Sequence, residues 1–300
     1  MEIHHIGLIG HGEVGTNFAS GLHGKPGIAS VGAWDIKFAG DTAARERAAA
    51  GGTIAQPSMQ ALCAASDLLI CAVTASSTLA AAEQAAPHLR AGTVYLDLNS
   101  ASPATKQAAA AAVEAAGAHY VEAGVMTSVP PYGIRVPMLL GGARAEALAA
   151  RLVGWGMDAK AVSERLGVAS AIKMSRSVMI KGLEALVIES YATARRHGVE
   201  DHVLPTLRET FPSIDWDRQG AYFFSRVVQH GQRRAEEMRE AANTVREAGF
   251  EPFMAAAIAD KQQWVADQAR AGLFEGLGKD APWQAYADRL LAAAAGRNED

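Results

Sequence analysis

The sequence predicts an α/β domain over residues 1–166 and an all-α domain over residues 167–300, joined by a long helix. In the first part, short apolar runs alternate with alanine-rich runs of helical character. Such alternation is typical of a parallel sheet with helices on both faces. Beyond Gly167 the segments have helical character to the end of the chain, and none makes a convincing strand.

The elements of the first domain follow from these runs. Strands are expected at Ile3–Ile9, Ser30–Trp34, Leu68–Val73, Val94–Leu96, Tyr120–Glu122 and Met138–Leu140. Helices are expected at Val14–Leu22, Thr42–Ala50, Ser58–Ala65, Thr78–Ala86, Ala104–Ala116 and Ala143–Val153.

The joining helix, over residues 167–198, carries an unusual pattern. Around Val178–Ile188 it is apolar on nearly every face, as a buried helix would be. Polar residues nevertheless recur at steps of three and four along one side. They are Lys173, Arg176, Ser177, Lys181 and Glu184. We expect this stripe to face a cleft between the two domains.

Composition excludes several classes of protein. The chain is 49% apolar and 20% charged, with a net charge of −4, which is ordinary for a globular protein and gives no basic surface for nucleic acid or anionic lipid. No run of about 18 uncharged apolar residues predicts a membrane span. Two cysteines, Cys63 and Cys71, suggest a reducing cytoplasm rather than a disulfide framework. No cluster has metal-ligand spacing, so no metal is expected.

A glycine-rich turn follows the first strand and precedes a helix. It has the form Gly10-x-Gly12-x-x-Gly15, with Glu13 and Val14 between the last two glycines. The first glycine permits a tight turn, the second lets backbone approach a pyrophosphate, and the third lets helix pack on strand. The phosphate would meet free N–H groups at the helix N-terminus. This context predicts a Rossmann domain that binds a dinucleotide.

Residues at the end of the second strand indicate which dinucleotide is bound. Asp35 lies 20 residues past Gly15, where a carboxylate bonds the adenine-ribose hydroxyls of NAD and repels the 2′-phosphate of NADP. Lys37 indicates the opposite, because it could pair with that phosphate. We therefore expect NAD, with NADP left open. Val73, Thr74 and Asn99, which follow later strands, are expected to complete the cofactor site.

Three further motifs carry a resemblance to a known family. They are "DLNSASP" at 97–103, "VEAGVMTSVPPYGIRVPMLLGG" at 121–142 and "GVASAIKMSRS" at 167–177. With the glycine turn, their order and spacing resemble the β-hydroxyacid dehydrogenases, the superfamily of 3-hydroxyisobutyrate dehydrogenase and 6-phosphogluconate dehydrogenase. Residues 230–254 resemble a helical domain of unassigned function found in one branch. The resemblance implies oxidation of a hydroxy acid, with a lysine on the long helix beside the nicotinamide.

The family motifs match this chain unevenly. In the pattern D-x-S-[ST]-x-x-P, Asp97, Ser100 and Pro103 match, while Asn99 replaces the first serine. The resemblance implies that Asn99 and Ser100 contact cofactor carboxamide or substrate.

The pattern D-A-P-V-S-G-G becomes Glu122 to Ser128, so a serine and two glycines that hold the substrate carboxylate are missing. Thr127 and Ser128 are the nearby polar substitutes. The lysine matches at Lys173, and Ser177 stands where the family has an asparagine that contacts substrate. The resemblance thus implies that the proton-transfer machinery is kept and the acid-binding pocket rebuilt.

Alcohol oxidation needs a hydride acceptor and a base for the hydroxyl proton. The nicotinamide would supply the first and Lys173 the second, with the ammonium donating the proton in the reverse direction. Arg176 and Lys181 could hold an anionic substrate group or pair with Glu184.

In the second domain, His230 could reach the cleft. Most of its charged neighbours are expected to form a solvated face. These neighbours are Arg233, Arg234 and Glu237.

Two alternatives stay open beside the dehydrogenase hypothesis. An imine reductase shares the architecture, although many of those enzymes place aspartate or tyrosine where Lys173 stands. A non-catalytic NAD(P)-binding protein would need no proton donor. The expected partners are a small-molecule substrate and, because the second domain is rich in aromatic residues, a second copy in a homodimer.

Overall fold

The computed structural model of the protein describes residues 2–296. Eight strands form one sheet in the order β3-β2-β1-β4-β5-β6-β7-β8. They are β1 His5–Ile9, β2 Ser30–Trp34, β3 Ile54–Ala55, β4 Leu68–Cys71, β5 Val94–Asp97, β6 His119–Val125, β7 Met138–Gly141 and β8 Ala159–Ser163. The first six follow the doubly wound order, in which the chain reverses direction across the sheet between β1 and β4.

Six helices accompany the sheet and five make up the rest of the described chain. The first six are α1 Glu13–Leu22, α2 Thr42–Ala50, α3 Met59–Ala64, α4 Thr78–Ala85, α5 Pro103–Ala115 and α6 Ala145–Gly154. The remaining five are α7 Val168–His197, α8 Glu200–Thr210, α9 Trp216–Glu247, α10 Phe253–Arg270 and α11 Trp283–Gly296. The predicted fold class, a Rossmann domain followed by an all-α domain, is confirmed.

Two apolar layers cover the two faces of the sheet. One layer contains Phe18 and Leu22 of α1 together with Leu148 of α6. The other contains Leu62 of α3 and Val113 of α5. Because both faces are covered, the central strands are apolar over most of their length, which is why they stand out in the sequence.

The expectation of a purely parallel sheet is wrong at one place. β7 runs antiparallel to β6, with Val125 opposite Met138. No α-helix lies between these strands, and a parallel connection needs a crossover of a dozen or more residues, usually helical. The expectation also omits β3 and β8. β3 has two residues, and β8 is only partly buried, so neither has the apolar run of a central strand.

The described chain, residues 2–296, divides into two compact units between Ser175 and Arg176. The division falls inside α7, whereas the sequence placed the boundary at Gly167. The second unit has its own apolar core, which includes Tyr191 of α7, Phe224 of α9, Val265 of α10 and Trp283 of α11. Tyr191 and Trp283 meet edge to face, with ring centroids 4.8 Å apart.

The aromatic residues of the second unit fall into two groups. Trp216 and Phe224 are buried, whereas Tyr222, Phe250 and Phe253 are exposed. None of the helices within residues 2–296 combines the length and the apolar character needed to cross a bilayer.

Candidate active site

The glycine turn after β1 has the geometry that each glycine was predicted to provide. Gly10 has a φ of +90°, and a Cβ there would lie 2.6 Å from the carbonyl oxygen of Ala72. A Cβ on Gly15 would lie 2.1 Å from the carbonyl oxygen of Gly10, so only glycine lets α1 approach β1 so closely. A Cβ on Gly12, in contrast, would meet nothing within 4 Å.

The N-terminus of α1 is open beside that turn. Gly12 is its N-cap residue, and among the described residues no side chain caps the first turn, which contains Glu13 and Val14. Uncapped N–H groups at a helix start, next to open space at a glycine, form a cradle for an anionic phosphate. The residues present therefore fit the pyrophosphate of a dinucleotide.

Asp35 follows β2 and is held by backbone. One carboxylate oxygen accepts the N–H of His11 at 2.7 Å, and the other accepts the N–H of Lys37 at 2.9 Å. The carboxylate is thereby fixed against the glycine turn, while the side chain of Lys37 is exposed.

His11 is half-buried against Phe38, with 6.0 Å between ring centroids. Burial lowers the pKa of His11 below 6.5, and the nearby Asp35 carboxylate opposes that shift only partly.

The segments that follow β4 and β5 are tied together. The side-chain oxygen of Asn99 accepts the N–H of Val73 at 2.8 Å, and its side-chain nitrogen donates to the sulfur of Cys71 at 3.3 Å. Asn99 is buried, so its side chain holds these two segments together beneath the surface of the site. Thr74 lies at the start of a short 3-10 turn, where its hydroxyl contacts the hydroxyls of Ser76 and Ser77.

Ser100 and Lys173, which are 73 residues apart, meet at this edge of the sheet. The amine of Lys173 donates to the hydroxyl of Ser100 at 2.5 Å. Gly124 of β6 makes the approach possible, because a Cβ there would lie 3.0 Å from the carbonyl oxygen of Ala169 and 3.3 Å from Cβ of Lys173. Lys173 is only partly buried, as a group that exchanges protons with a substrate must be.

The start of α7 is fixed by a carboxylate from β6. Glu122 is fully buried, and its Oε1 accepts the N–H groups of Gly167 at 2.8 Å and Ala169 at 3.0 Å. The negative charge also lies at the positive end of the helix dipole. Glu122 thus holds the start of the helix that carries Lys173.

A buried ion pair lies beneath Ser100 that the sequence reasoning missed. Asp97 ends β5, and one of its carboxylate oxygens lies 3.0 Å from the amine of Lys106 on α5. The other accepts the hydroxyl of Tyr120 at 2.5 Å. A signal was present: Lys106 precedes Ala109, Ala110 and Val113 at the three-, four- and seven-residue spacing of a buried helix face.

The loop after β6 places the rebuilt motif at the same edge. Met126 begins it, with its N–H bonded to the carbonyl oxygen of Pro137 at 2.9 Å. Thr127 is exposed and Ser128 is half-buried. Because β1, β2, β4, β5 and β6 are parallel, these residues, the glycine turn, Asp35, Asn99 and Ser100 all lie at the carboxyl edge of the sheet. The structure therefore gathers the predicted site residues of the first unit.

In the second unit, the polar residues of α7 have partners on α9. Lys181 is buried, donates to the hydroxyl of Ser177 at 3.2 Å and pairs with Glu237 at 2.8 Å. Glu184 forms a bidentate pair with Arg234, whose Nε donates at 2.9 Å. The suggestion that Lys181 or Arg176 pairs with Glu184 is therefore wrong.

The solvated face expected on α9 also needs correction. Arg234 is 5% exposed and Glu237 is largely buried, because both meet the stripe of α7. Arg233 is exposed, as expected, and His230 is half-buried. Arg176 is exposed at the start of the second unit. The roles of Arg176, Ser177 and His230 toward a substrate stay predictions. Within residues 2–296 no group of three His, Cys, Asp or Glu could hold a metal ion.

Comparison with known proteins agrees with this geometry. Residues 5–148 match the NAD binding domain of 6-phosphogluconate dehydrogenase, and residues 194–265 match a domain of unknown function, DUF1932. A conserved hypothetical protein from Sinorhizobium meliloti 1021 is 38% identical, with a TM-score of 0.75 over 97% of this chain and 96% of that one. The conserved protein MTH1747, of unknown function, is 30% identical, with a TM-score of 0.68 over 89% of this chain and 98% of that one. Its structure was described as similar to 3-hydroxyacid dehydrogenases.

The chain belongs to the β-hydroxyacid dehydrogenase superfamily. Its C-terminal part places it in the branch with the DUF1932 domain. The first unit is thus an NAD(P)-binding domain. An imine reductase from Aspergillus terreus, in complex with NADPH4 and dibenz[c,e]azepine, shares the fold at 21% identity. Its TM-score is 0.57 over 91% of this chain and 95% of that one.

Proposed function

We propose that the protein is an NAD(P)-dependent oxidoreductase that interconverts a hydroxy acid, or a related alcohol, and its carbonyl form, with Lys173 as general acid and base. The observation that carries the proposal is the meeting of Lys173 and Ser100 at the carboxyl edge of the sheet, at 2.5 Å. When bound, the nicotinamide supplies the hydride acceptor or donor.

The other steps of the proposed reaction would be performed by residues of the protein. The open N-terminus of α1 binds the pyrophosphate, and Gly12 leaves room for it. Lys173 takes the hydroxyl proton of the substrate during oxidation and returns it during reduction. Ser100 accepts a hydrogen bond from the amine and so orients it. Glu122 keeps the first turn of α7 in register with β6.

A single substitution tests this assignment. Lys173→Met keeps the aliphatic bulk and removes the proton carrier, so we expect turnover to fall by about 10²–10⁴-fold, the usual scale of general acid–base catalysis. Dinucleotide affinity should barely change, because Lys173 is not part of the phosphate cradle.

Lys160→Met is the matched control, since Lys160 is exposed on β8. Assays would follow NADH and NADPH oxidation with panels of oxo acids and aldehydes, and the reverse reaction with hydroxy acids. Turnover by Lys173→Met near that of the unaltered protein would contradict the role of the lysine.

The same assay separates the alternatives. An imine reductase would consume reduced dinucleotide with cyclic imines and not with oxo acids. The shared fold favours this second candidate, whereas the lysine disfavours it. A non-catalytic protein would bind dinucleotide and turn over neither panel.

We also propose NAD as the preferred cofactor. Asp35 is fixed beside the glycine turn by two backbone N–H groups, and its charge would repel a 2′-phosphate. Asp35→Ala should weaken NAD binding and relax discrimination against NADP, measured by fluorescence titration. An unaltered protein that used NADPH far better than NADH would overturn this proposal and would indicate that Lys37 binds the 2′-phosphate.

We further propose that the second unit pairs with a second copy of the chain. Phe250 lies between α9 and α10, and Phe253 and Met254 begin α10; these three residues are exposed by 71%, 76% and 55%. Twofold dimers are the commonest closed assemblies. Light scattering should give twice the chain mass of 31.4 kDa at micromolar concentration, and a value equal to the chain mass would exclude the dimer.

A further inference from the structure

The ion pair beneath Ser100 is costly for the fold to maintain. Lys106 and Asp97 are each 1% exposed. Taking two charges out of water often costs more than their attraction returns, and apolar residues of similar size commonly replace such pairs without loss of stability. α5 already buries Ala109, Ala110 and Val113 on the same face, so an apolar residue would suit position 106. Stability alone therefore does not account for the pair.

The position of the pair relates it to the candidate active site. Asp97 is the last residue of β5, and Ser100 follows three residues later. The carboxylate of Asp97 accepts the N–H of Asn99 at 2.8 Å, and the side chain of Asn99 is tied in turn to Val73. The backbone that enters Ser100 is thus fixed by one charged side chain.

The backbone that leaves Ser100 is fixed separately. Ser102 is the N-cap residue of α5, and its hydroxyl accepts the N–H of Thr105 at 3.3 Å. Ser100 therefore lies between two anchored points, and the direction of its hydroxyl depends on both.

Lys106 and Tyr120 prevent the carboxylate of Asp97 from turning. The Lys106 amine contacts Oδ1 at 3.0 Å and the Asp97 carbonyl oxygen at 3.1 Å, while the Tyr120 hydroxyl holds Oδ2. Burial first, and the charge of Asp97 second, raise the pKa of Tyr120 well above 10. Tyr120 therefore keeps its proton and remains a donor at neutral pH.

We propose that Asp97, Lys106 and Tyr120 are positioning residues that hold the hydroxyl of Ser100 against the amine of Lys173. The inference rests on the proposed role of Lys173 in catalysis. None of the three residues is required to touch substrate or cofactor. They act through Asn99 and Ser100 on the group that carries the proton.

The chain offers a matched pair of substitutions. Tyr95 lies opposite Tyr120 on β5, and the two rings stack with centroids 5.8 Å apart. Both side chains are fully buried, but the Tyr95 hydroxyl makes no hydrogen bond to Asp97. Tyr120→Phe and Tyr95→Phe thus remove the same atom from neighbouring positions, and only the first removal takes a hydrogen bond from the carboxylate of Asp97.

The test reads Lys173 directly and needs no substrate. The full-length protein is treated with an acetylating N-hydroxysuccinimide ester, and mass spectrometry gives the rate of labelling at Lys173 relative to exposed Lys160. Ser100→Ala removes the hydroxyl that accepts the hydrogen bond from Lys173, so this variant should show the largest rise in the labelling ratio. We expect a roughly 2- to 10-fold rise in the ratio, the factor that corresponds to the net worth of one hydrogen bond. Tyr120→Phe should produce much of that rise, and Tyr95→Phe far less, because the Tyr95 hydroxyl lies beside Cys71 and not on the carboxylate of Asp97.

Melting temperatures of all variants accompany the labelling, because a merely structural role would lower them without moving the ratio. An unchanged ratio in Tyr120→Phe, with a raised ratio in Ser100→Ala, would overturn the proposal. An unchanged ratio in Ser100→Ala would overturn it too, since the hydroxyl would not hold the amine. If Tyr120→Phe does not fold, Lys106→Gln is subject to the same criteria. A protein that shows no turnover at all contradicts the proposed function, and the labelling result still decides the positioning.

Discussion

Buried charges occur in both units, but they lie next to different features: the candidate site in the first unit and the helical core in the second. In the first unit, Asp97, Lys106 and Tyr120 lie under a loop whose next residues, Asn99 and Ser100, lead to a partly exposed lysine. In the second unit, the charges of α7 and α9 satisfy one another within the helical core.

The second set comprises Lys181 with Glu237, and Glu184 with Arg234 and Gln262. The stripe on α7 therefore has two explanations. At Lys173 it belongs to the candidate site, and from Lys181 to Glu184 it fastens one helix to another. A regular spacing of charge along a buried helix shows that the charges have partners, and it does not show that the partner is a ligand.

The largest effect should come from breaking the second set. Glu184→Ala leaves Arg234 buried and unpaired, so the free energy of unfolding should fall by about 3–5 kcal/mol. The double variant Glu184→Leu, Arg234→Met removes both charges and should recover most of that loss. Urea unfolding followed by circular dichroism measures both variants. A single variant as stable as the unaltered protein would mean that the pair is open to solvent.

A smaller effect should separate the two lysines of the stripe. Lys181→Met leaves Glu237 without its ion pair and should cost about 2 kcal/mol, less than Glu184→Ala because Glu237 is 16% exposed. Lys173→Met should change stability by no more than about 0.5 kcal/mol, the usual range for a side chain near the surface. Turnover should show the reverse order. Loss of turnover in Lys181→Met at unchanged stability would show that Lys181 serves the substrate instead.

The smallest effect should be on the loss of stability as the pH falls. Because burial lowers the pKa of His11 below 6.5, the unfolded chain binds more protons than the folded one between the lowered value and 6.5. Stability contributed by the neutral ring is therefore complete above 6.5 and is lost as the pH falls through that window. Calorimetry at roughly pH 5.5 and 7.5 should show a smaller pH dependence in His11→Asn than in the unaltered protein.

His197→Asn, at an exposed site in the second unit, is the control for this measurement. If the stability of His11→Asn and of the unaltered protein depended equally on pH, His11 would not be a source of that dependence.

Much of this architecture could be predicted because its causes are local. Buried strands are continuous apolar runs, so β2 was predicted to the residue and β4 and β5 to within two. The glycine turn could be predicted because the backbone geometry at Gly10 and Gly15 admits only glycine. β3 and β8 could not, since two-residue and half-buried strands leave no distinct pattern.

The candidate site was predictable only in part. Lys173 and Ser100 were found by motif, but their contact spans 73 residues and no local rule states it. The partners of Lys181 and Glu184 lie on α9, 56 and 50 positions further along the chain. Pairing across such separations depends on tertiary packing. The prediction that the stripe faces a cleft between the domains is wrong for Lys181 and Glu184, which are buried against α9, and for Lys173 it stays a prediction.

The carboxylate of Glu122 has a consequence for the order in which the chain folds. It reaches the start of α7 across 45 residues of sequence, so this helix start cannot be capped until β6 is in place. Contacts of such long range form late, because the loop must close before they contribute. Amide protons of Gly167 and Ala169 should therefore gain protection from hydrogen exchange only after those of β6. The segment that carries Lys173 would be among the last of the first unit to acquire its native form.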